Sequence, residues 1–173
     1  MNVLELFKKI TTFVFDVDGV LTDGSLLLMP GNIWVRRMNI KDGFALQLAI
    51  KKGYRVMIIT GSFSAEVKDR LNKLGIYDVF MQVEDKNKCL EEYVQKHNLS
   101  REEILYMGDD IPDHPVTKSA GLSCCPKDAV PEIKSICDYI SHKKGGDGCV
   151  RDVIEKTLKL RNDWTINTSI KAQ

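Results

Sequence analysis

The feature that most limits how this chain can fold is the stretch from residue 11 to residue 22, TTFVFDVDGVLT. Phe13, Val14 and Phe15 form an apolar, β-favouring run, with Val17 and Val20 further on. Such a run reads as a buried strand of a parallel sheet, covered on both faces. It then presents two carboxylates, Asp16 and Asp18, one residue apart, and breaks at Gly19. Acids at the end of a buried strand are costly unless something neutralises them. A divalent cation would do so, and Mg²⁺ favours one or two carboxylates together with waters and substrate phosphate. The competing reading of a lone Asp-x-Asp is an ordinary turn after a strand, so the remainder of the chain has to decide.

The remainder alternates. Apolar runs at 55–59, 79–81, 104–107, 122–125 and 139–140 read as strands, the last at an edge. Helical periodicity falls between them, at 41–52, 64–74, 87–97, 116–120 and 150–160, and a short amphipathic helix opens the chain. Strands alternating with helices of this length predict an α/β fold, a doubly wound parallel sheet. Its 173 residues suffice for a single domain over 1–173. One insert interrupts the alternation. Two apolar runs around Pro30-Gly31-Asn32 read as a β-hairpin over about 24–39, a small cap directly after the first strand. Leu26, Leu28, Ile33 and Trp34 on it need a partner surface, and other subunits are the preferred one. Arg36 and Arg37 read as solvated hairpin charges. The polar tail, about 161–173, carries no assignment.

Ligands in doubly wound folds bind outside the carboxyl ends of the strands. Three strands here end in polar chemistry, at Asp16 and Asp18, at Thr60, and at Asp109. That convergence suits hydrolysis of a phosphate monoester, which needs an in-line nucleophile, charge neutralisation and a proton for the leaving oxygen. Asp16 can attack phosphorus, and Asp18 can protonate the departing oxygen and then activate water. Thr60, with Gly61 beside it, and the Lys86 ammonium can hold phosphoryl oxygens. Asp109 can complete a metal site with Asp16, helped by the backbone carbonyl of Asp18, while Asp110 and Asp113 orient those groups.

The pieces D-V-D-G-V-L-T, T-G, Lys86 and G-D-D-x-x-D stand in the order of the haloacid dehalogenase superfamily motifs, and the chain resembles that superfamily. Within it, D-V-D-G-V-L-T-D-G, the hairpin, N-I-K-D-G-F, G-D-D-I-P-D and a late G-G-x-G-x-V-R resemble the family of 3-deoxy-D-manno-octulosonate 8-phosphate phosphatases. The resemblance spans residues 13–151. It implies Mg²⁺ dependence, a sugar-acid phosphate as small-molecule substrate, a homotetramer, a place in lipopolysaccharide precursor synthesis, and substrate contacts from Lys41 and Arg151. In the resembled family the glycine-rich tail segment closes over a neighbouring subunit's site, and the loop at 145–148 looks flexible enough to do so. Lys41 and Ser62 stand where the family usually carries arginine, so a phosphatase of a nine-carbon sialic-type sugar acid is the alternative. An alternative of another class is a non-catalytic assembly domain, against which the intact Asp16, Asp18, Thr60, Lys86 and Asp109 argue.

Composition narrows partners. Twenty-five basic residues against 24 acidic ones give no electrostatic case for nucleic acid. No apolar run is long enough to span a bilayer, and the first ten residues are too charged for a secretory signal. Five cysteines without a C-x-x-C pair read as reduced thiols in a cytoplasmic protein, with Cys124 and Cys125 packed in a buried strand. His97 reads as a helix-end residue, and neither it nor His114 is needed as a base.

Overall fold

The computed structural model describes residues 2–170; the last three residues of the tail lie outside that range. A short helix, α1 (Val3–Lys9), leads into β1 (Thr12–Phe15), all four residues of which are buried. A wide turn follows, and the hairpin β2 (Leu27–Met29) and β3 (Ile33–Val35) leaves the body of the protein. The chain then runs α2 (Ile40–Lys51), β4 (Arg55–Ile59), α3 (Ala65–Lys73) and β5 (Asp78–Phe80). It continues through α4 (Lys86–His97), β6 (Ile104–Met107), α5 (His114–Ser119) and β7 (Leu122–Cys125). A single turn, α6 (Pro131–Lys134), the edge strand β8 (Tyr139–Ile140) and α7 (Cys149–Leu160) complete it. His97 ends α4 with its ring against Tyr93, as a helix-end residue.

The sheet has the order β5-β4-β1-β6-β7-β8, and every pair in it is parallel. Alternate strand residues face opposite layers, because successive side chains of a strand point to opposite sides. Phe13, Phe15, Ile58 and Leu105 join a core with residues of α1, α2, α3 and α7. Val14, Met57, Ile59 and Tyr106 face the other way, against Leu90 and Tyr93 of α4 and Val116 of α5. Covering on both faces is why the strands read as continuous apolar runs rather than as alternating ones.

β1 lies at the centre, and the chain winds outward from it in both directions, toward β4 and toward β6. The crevice at such a switch point, outside the carboxyl ends of the strands, is where this architecture binds ligands. Asp16 therefore sits at the switch because β1 is the strand that precedes it.

One expectation needs correction. The loop at 145–148 is not a free arm. A Cβ on Gly145 would collide with the Gly19 carbonyl, Gly145 N–H donates to Asp128 at 2.9 Å, and Gly146 N–H donates to the Val20 carbonyl at 2.9 Å. Gly145 and Gly146 are packed against the turn after β1, where a Cβ on either would collide with backbone. The start of the tail, which carries no assignment from sequence, is tied to the body of the protein. Tyr54 donates to Asp163 at 2.6 Å, Arg161 donates to the Lys8 carbonyl at 2.8 Å, and Trp164 packs edge-on against Phe44.

Asp42, almost fully buried on α2, accepts from the Arg151 N–H at 2.7 Å and so caps the first turn of α7. Gly148, at the cap position itself, has no side chain with which to do this. Burial pushes the Asp42 carboxyl up to about 6. Loss of a helix cap costs about 0.5–2 kcal/mol, so Asp42→Ala is expected to lower unfolding stability by that amount in a urea titration near neutral pH. An unchanged midpoint would show that α7 does not use this cap.

Candidate active site

Four strand ends converge on a cleft of about 320 Å³ whose lining includes Asp16, Asp18, Thr60, Gly61, Lys86, Asp109, Asp110 and Asp113. Asp16 leaves β1 buried, with Oδ1 accepting from the Val17 N–H at 2.6 Å and Oδ2 lying 2.8 Å from Lys86 Nζ. The turn that follows contains Gly19 at φ 84°, a left-handed conformation that glycine adopts without a steric penalty. A Cβ there would also collide with the Asp109 carboxylate, so glycine is what lets the β1 and β6 loops close together.

Lys86 is the first residue of α4, buried, and its ammonium bridges Asp16 and Asp113, the latter at 2.6 Å. Burial opposes its charge, but the two carboxylates outweigh burial and hold its pKa above the ordinary value. Asp113 is fully engaged. Its Oδ1 accepts from Lys86 and from the Tyr106 hydroxyl, both at 2.6 Å. Its Oδ2 accepts from the Asp109 and Asp110 N–H groups at 2.9 and 3.3 Å. Asp113 thus fixes the Asp109 backbone and the Lys86 ammonium together, an orienting position. Asp110 is exposed and turns back to cap Ile111 at 2.8 Å.

Asp109 is different. Its Oδ1 is buried and meets no hydrogen-bond donor among the described residues. Ligand oxygens of Asp16, Asp109 and Asp113 all lie within 4.8 Å of one another. Burial, then Asp16, Asp113 and Asp110, push the Asp109 carboxyl up to about 8, only partly offset by Lys86. Burial and Asp113 likewise raise Asp16. Clustered hard oxygens with one orphaned carboxylate atom fit a divalent cation of the Mg²⁺ type. Each Asp113 oxygen accepts two hydrogen bonds and each Asp16 oxygen has one partner, so Asp109 Oδ1 is the freest ligand atom of the cluster.

Thr60 ends β4 with its hydroxyl buried, 3.0 Å from the Ser62 hydroxyl and accepting from the Ser62 N–H at 3.2 Å. Helix α3 runs close to the 64–74 read from sequence, with Ser64 capping it through the Val67 N–H at 3.3 Å. Two predicted substrate contacts stand apart from the cleft. Lys41 is exposed in the first turn of α2 and does not line it. The Arg151 side chain is held on α7, bonded to Glu155 at 3.0 Å, with its guanidinium 5.3 Å from the Trp164 ring centre and 5.7 Å from that of Phe44. Two rings packed edge-on against each other and an i,i+4 carboxylate hold the guanidinium there.

Two residues of the site were not picked out from sequence. Tyr106 had a signal, since a tyrosine inside a buried strand needs a partner for its hydroxyl. Arg36 was read as a solvated charge and is not one. Its side chain is 5 % exposed and grips Asp18 with two bonds, Nε to Oδ1 at 2.7 Å and Nη2 to Oδ2 at 3.2 Å. Arg37 does match that reading, 80 % exposed and paired with Asp23.

Acids converging on the switch point, a buried lysine and a strand-end threonine mark the class of haloacid dehalogenase-like hydrolases, and the family model of that description matches residues 73–153. The 3-deoxy-D-manno-octulosonate 8-phosphate phosphatases of Salmonella typhi and Escherichia coli K12 are each 32% identical over 157 residues, covering 91% of this chain and 84% of theirs. A Moraxella catarrhalis 3-deoxy-D-manno-octulosonate 8-phosphate phosphatase, solved with magnesium, phosphate and a KDO molecule, superposes with a TM-score of 0.90. It is 32% identical and covers 93% of this chain and 92% of its own. The Yersinia pestis phosphatase of the same name gives 0.91 at 31% identity, covering 93% and 87%. The chain belongs to the family of 3-deoxy-D-manno-octulosonate 8-phosphate phosphatases.

The raised Asp109 carboxyl fixes a sign. Without a cation, the folded protein holds a proton that the unfolded chain, with the carboxyl near 3.8, releases. That stability is present at low pH and is lost as pH rises through about 8. A cation must displace the same proton, so its binding strengthens over the same range. In EDTA, Tm is expected to fall between about pH 6 and pH 8.5, and the rise in Tm on adding Mg²⁺ is expected to grow. A Mg²⁺ shift that shrinks toward alkaline pH would contradict the assignment.

Proposed function

We propose that this chain is a Mg²⁺-dependent phosphatase that hydrolyses 3-deoxy-D-manno-octulosonate 8-phosphate to the free sugar acid and phosphate. The observation that carries the reading is Asp16, held 2.8 Å from a buried lysine beside the orphaned oxygen of Asp109. In this reading Asp16 attacks phosphorus, the ester P–O bond breaks, and Asp18 gives its proton to the departing sugar oxygen. Water then attacks the aspartyl-phosphate, Asp18 takes the water's proton, and the bond from phosphorus to Asp16 breaks to release phosphate. Thr60 and the Gly61 N–H hold phosphoryl oxygens, and Lys86 neutralises their charge. The Asp16 and Asp109 carboxylates and the Asp18 carbonyl would hold magnesium, which would supply positive charge against the phosphoryl group. Asp113 and Asp110 position these groups.

The chain works as one domain with the hairpin as its only cap. Leu28 and Trp34 are 68 % and 53 % exposed, and no residue of either hairpin strand is buried. An isolated two-stranded hairpin is marginal in water, and closed homo-oligomers hide such surfaces. The homotetramer is therefore assembled through the hairpins. Five free cysteines support a reducing, cytoplasmic setting, and no helix among the described residues is long and apolar enough to cross a membrane.

Phosphate release from a series of sugar-acid phosphates tests the substrate, with the eight-carbon acid expected ahead of nine-carbon ones. A clear preference for nine carbons would move the assignment. Asp16→Asn is expected to abolish turnover while keeping the melting curve, and near-normal turnover would reject Asp16 as nucleophile. Trp34→Glu is expected to shift the protein to smaller species by light scattering. A wild type that is monomeric throughout would remove the tetramer.

A further inference from the structure

The Arg36–Asp18 pair presents a difficulty for the chemistry, and the difficulty is informative. Asp18 has to reach the departing ester oxygen, yet both of its oxygens are engaged by one guanidinium. A two-pronged arginine–carboxylate pair is among the stronger and more directional of polar contacts. Arg36 is also no loose surface charge. Its side chain is nearly fully buried, just past β3, whereas that of Asp18 is 33 % exposed. Arg36 contributes at once to a second cavity, of about 660 Å³, between the hairpin and the start of α3. Trp34, Met38, Phe63 and Arg70 also line it. Arg36 therefore lines a roomier, partly apolar cavity, while the Asp18 it grips lines the phosphate cleft.

We propose that Arg36 is a substrate-operated latch on Asp18. A carboxylate on the leaving half of the substrate takes the guanidinium, and Asp18 is released toward the scissile oxygen. The inference rests on the phosphatase reading above and deepens it by naming how the acid group is recruited. The exchange is one carboxylate for another at the same fork, so charge is conserved at Arg36 and no buried cation is left unpaired. The released Asp18 takes a proton from solvent and passes it to the oxygen leaving phosphorus. A phosphate ester without a carboxylate has nothing to offer Arg36, so Asp18 stays held and the ester turns over slowly. Selectivity for acidic sugars then comes from kcat as well as from binding. Arg36 is here a positioning and specificity residue, acting on the reacting atoms through Asp18.

Steady-state kinetics on two alkyl phosphates decide the matter, the sugar-acid phosphate and a neutral sugar phosphate such as ribose 5-phosphate. Both have poor leaving groups that need Asp18. A charge-assisted contact is worth ~1.5–3 kcal/mol, which corresponds to about 10- to 150-fold. Arg36→Ala is expected to lower kcat/KM on the sugar-acid phosphate by that factor and to raise kcat on the neutral ester several-fold. Opposite movements are the signature, since loss of a merely structural contact lowers both. Arg36→Lys, which keeps the charge without the fork, is expected to fall between wild type and Arg36→Ala on both substrates. Its melting curve guards against a folding defect in the alanine variant. If both variants lose kcat on both esters in parallel, the latch is overturned and the phosphatase reading stands. If the Mg²⁺-loaded wild type hydrolyses neither ester, the phosphatase reading fails and the latch with it.

Discussion

A single ammonium holds the site together. Lys86 reaches into the protein between Asp16 and Asp113, and neither carboxylate could be tolerated at that depth without it. Asp113 then passes the constraint on. It takes the Tyr106 hydroxyl from inside β6 and the backbone N–H groups of Asp109 and Asp110. The ends of β1 and β6 and the start of α4 are thereby fixed to one another by buried polar bonds, whereas the sheet beneath is fixed by apolar packing. One positive charge against Asp16, Asp109 and Asp113 leaves the cluster short of cation, and the unpaired Asp109 oxygen is where the deficit shows. A site built this way is completed by a divalent ion.

The fold was legible because its signals are local. Buried strands are short apolar runs, helices carry their periodicity, and Ser64 and Asp85 cap α3 and α4 from adjacent positions. The acids were legible for a related reason. Each closes a buried strand, where a charge has to have a purpose. What escaped is long-range. Arg36 lies 18 residues from Asp18 in sequence, and nothing in Trp-Val-Arg-Arg distinguishes the arginine that folds inward from the one that points to water. Gly145 reads as a loose loop residue until the Gly19 carbonyl is seen against it. Nothing in the sequence around Arg151 shows that Phe44, Trp164 and Glu155 surround it.

The hairpin links these themes. It follows β1 directly and leaves its apolar side chains uncovered, yet it returns one buried guanidinium to Asp18. A minimal cap therefore presents two kinds of residue, apolar ones facing outward and a guanidinium facing inward toward Asp18. The cleft itself is small, so discrimination among sugars has to come from groups at its rim.

The central claim is that Asp16 carries the phosphoryl group during turnover. Its most direct test is acid quenching of the Mg²⁺-loaded enzyme during steady-state hydrolysis of the sugar-acid phosphate, followed by peptide mass spectrometry. The account predicts one phosphoryl group on the peptide containing Asp16, localised to that side chain and absent from Asp16→Asn. A phosphoryl group on a different residue of a fully active enzyme would contradict it.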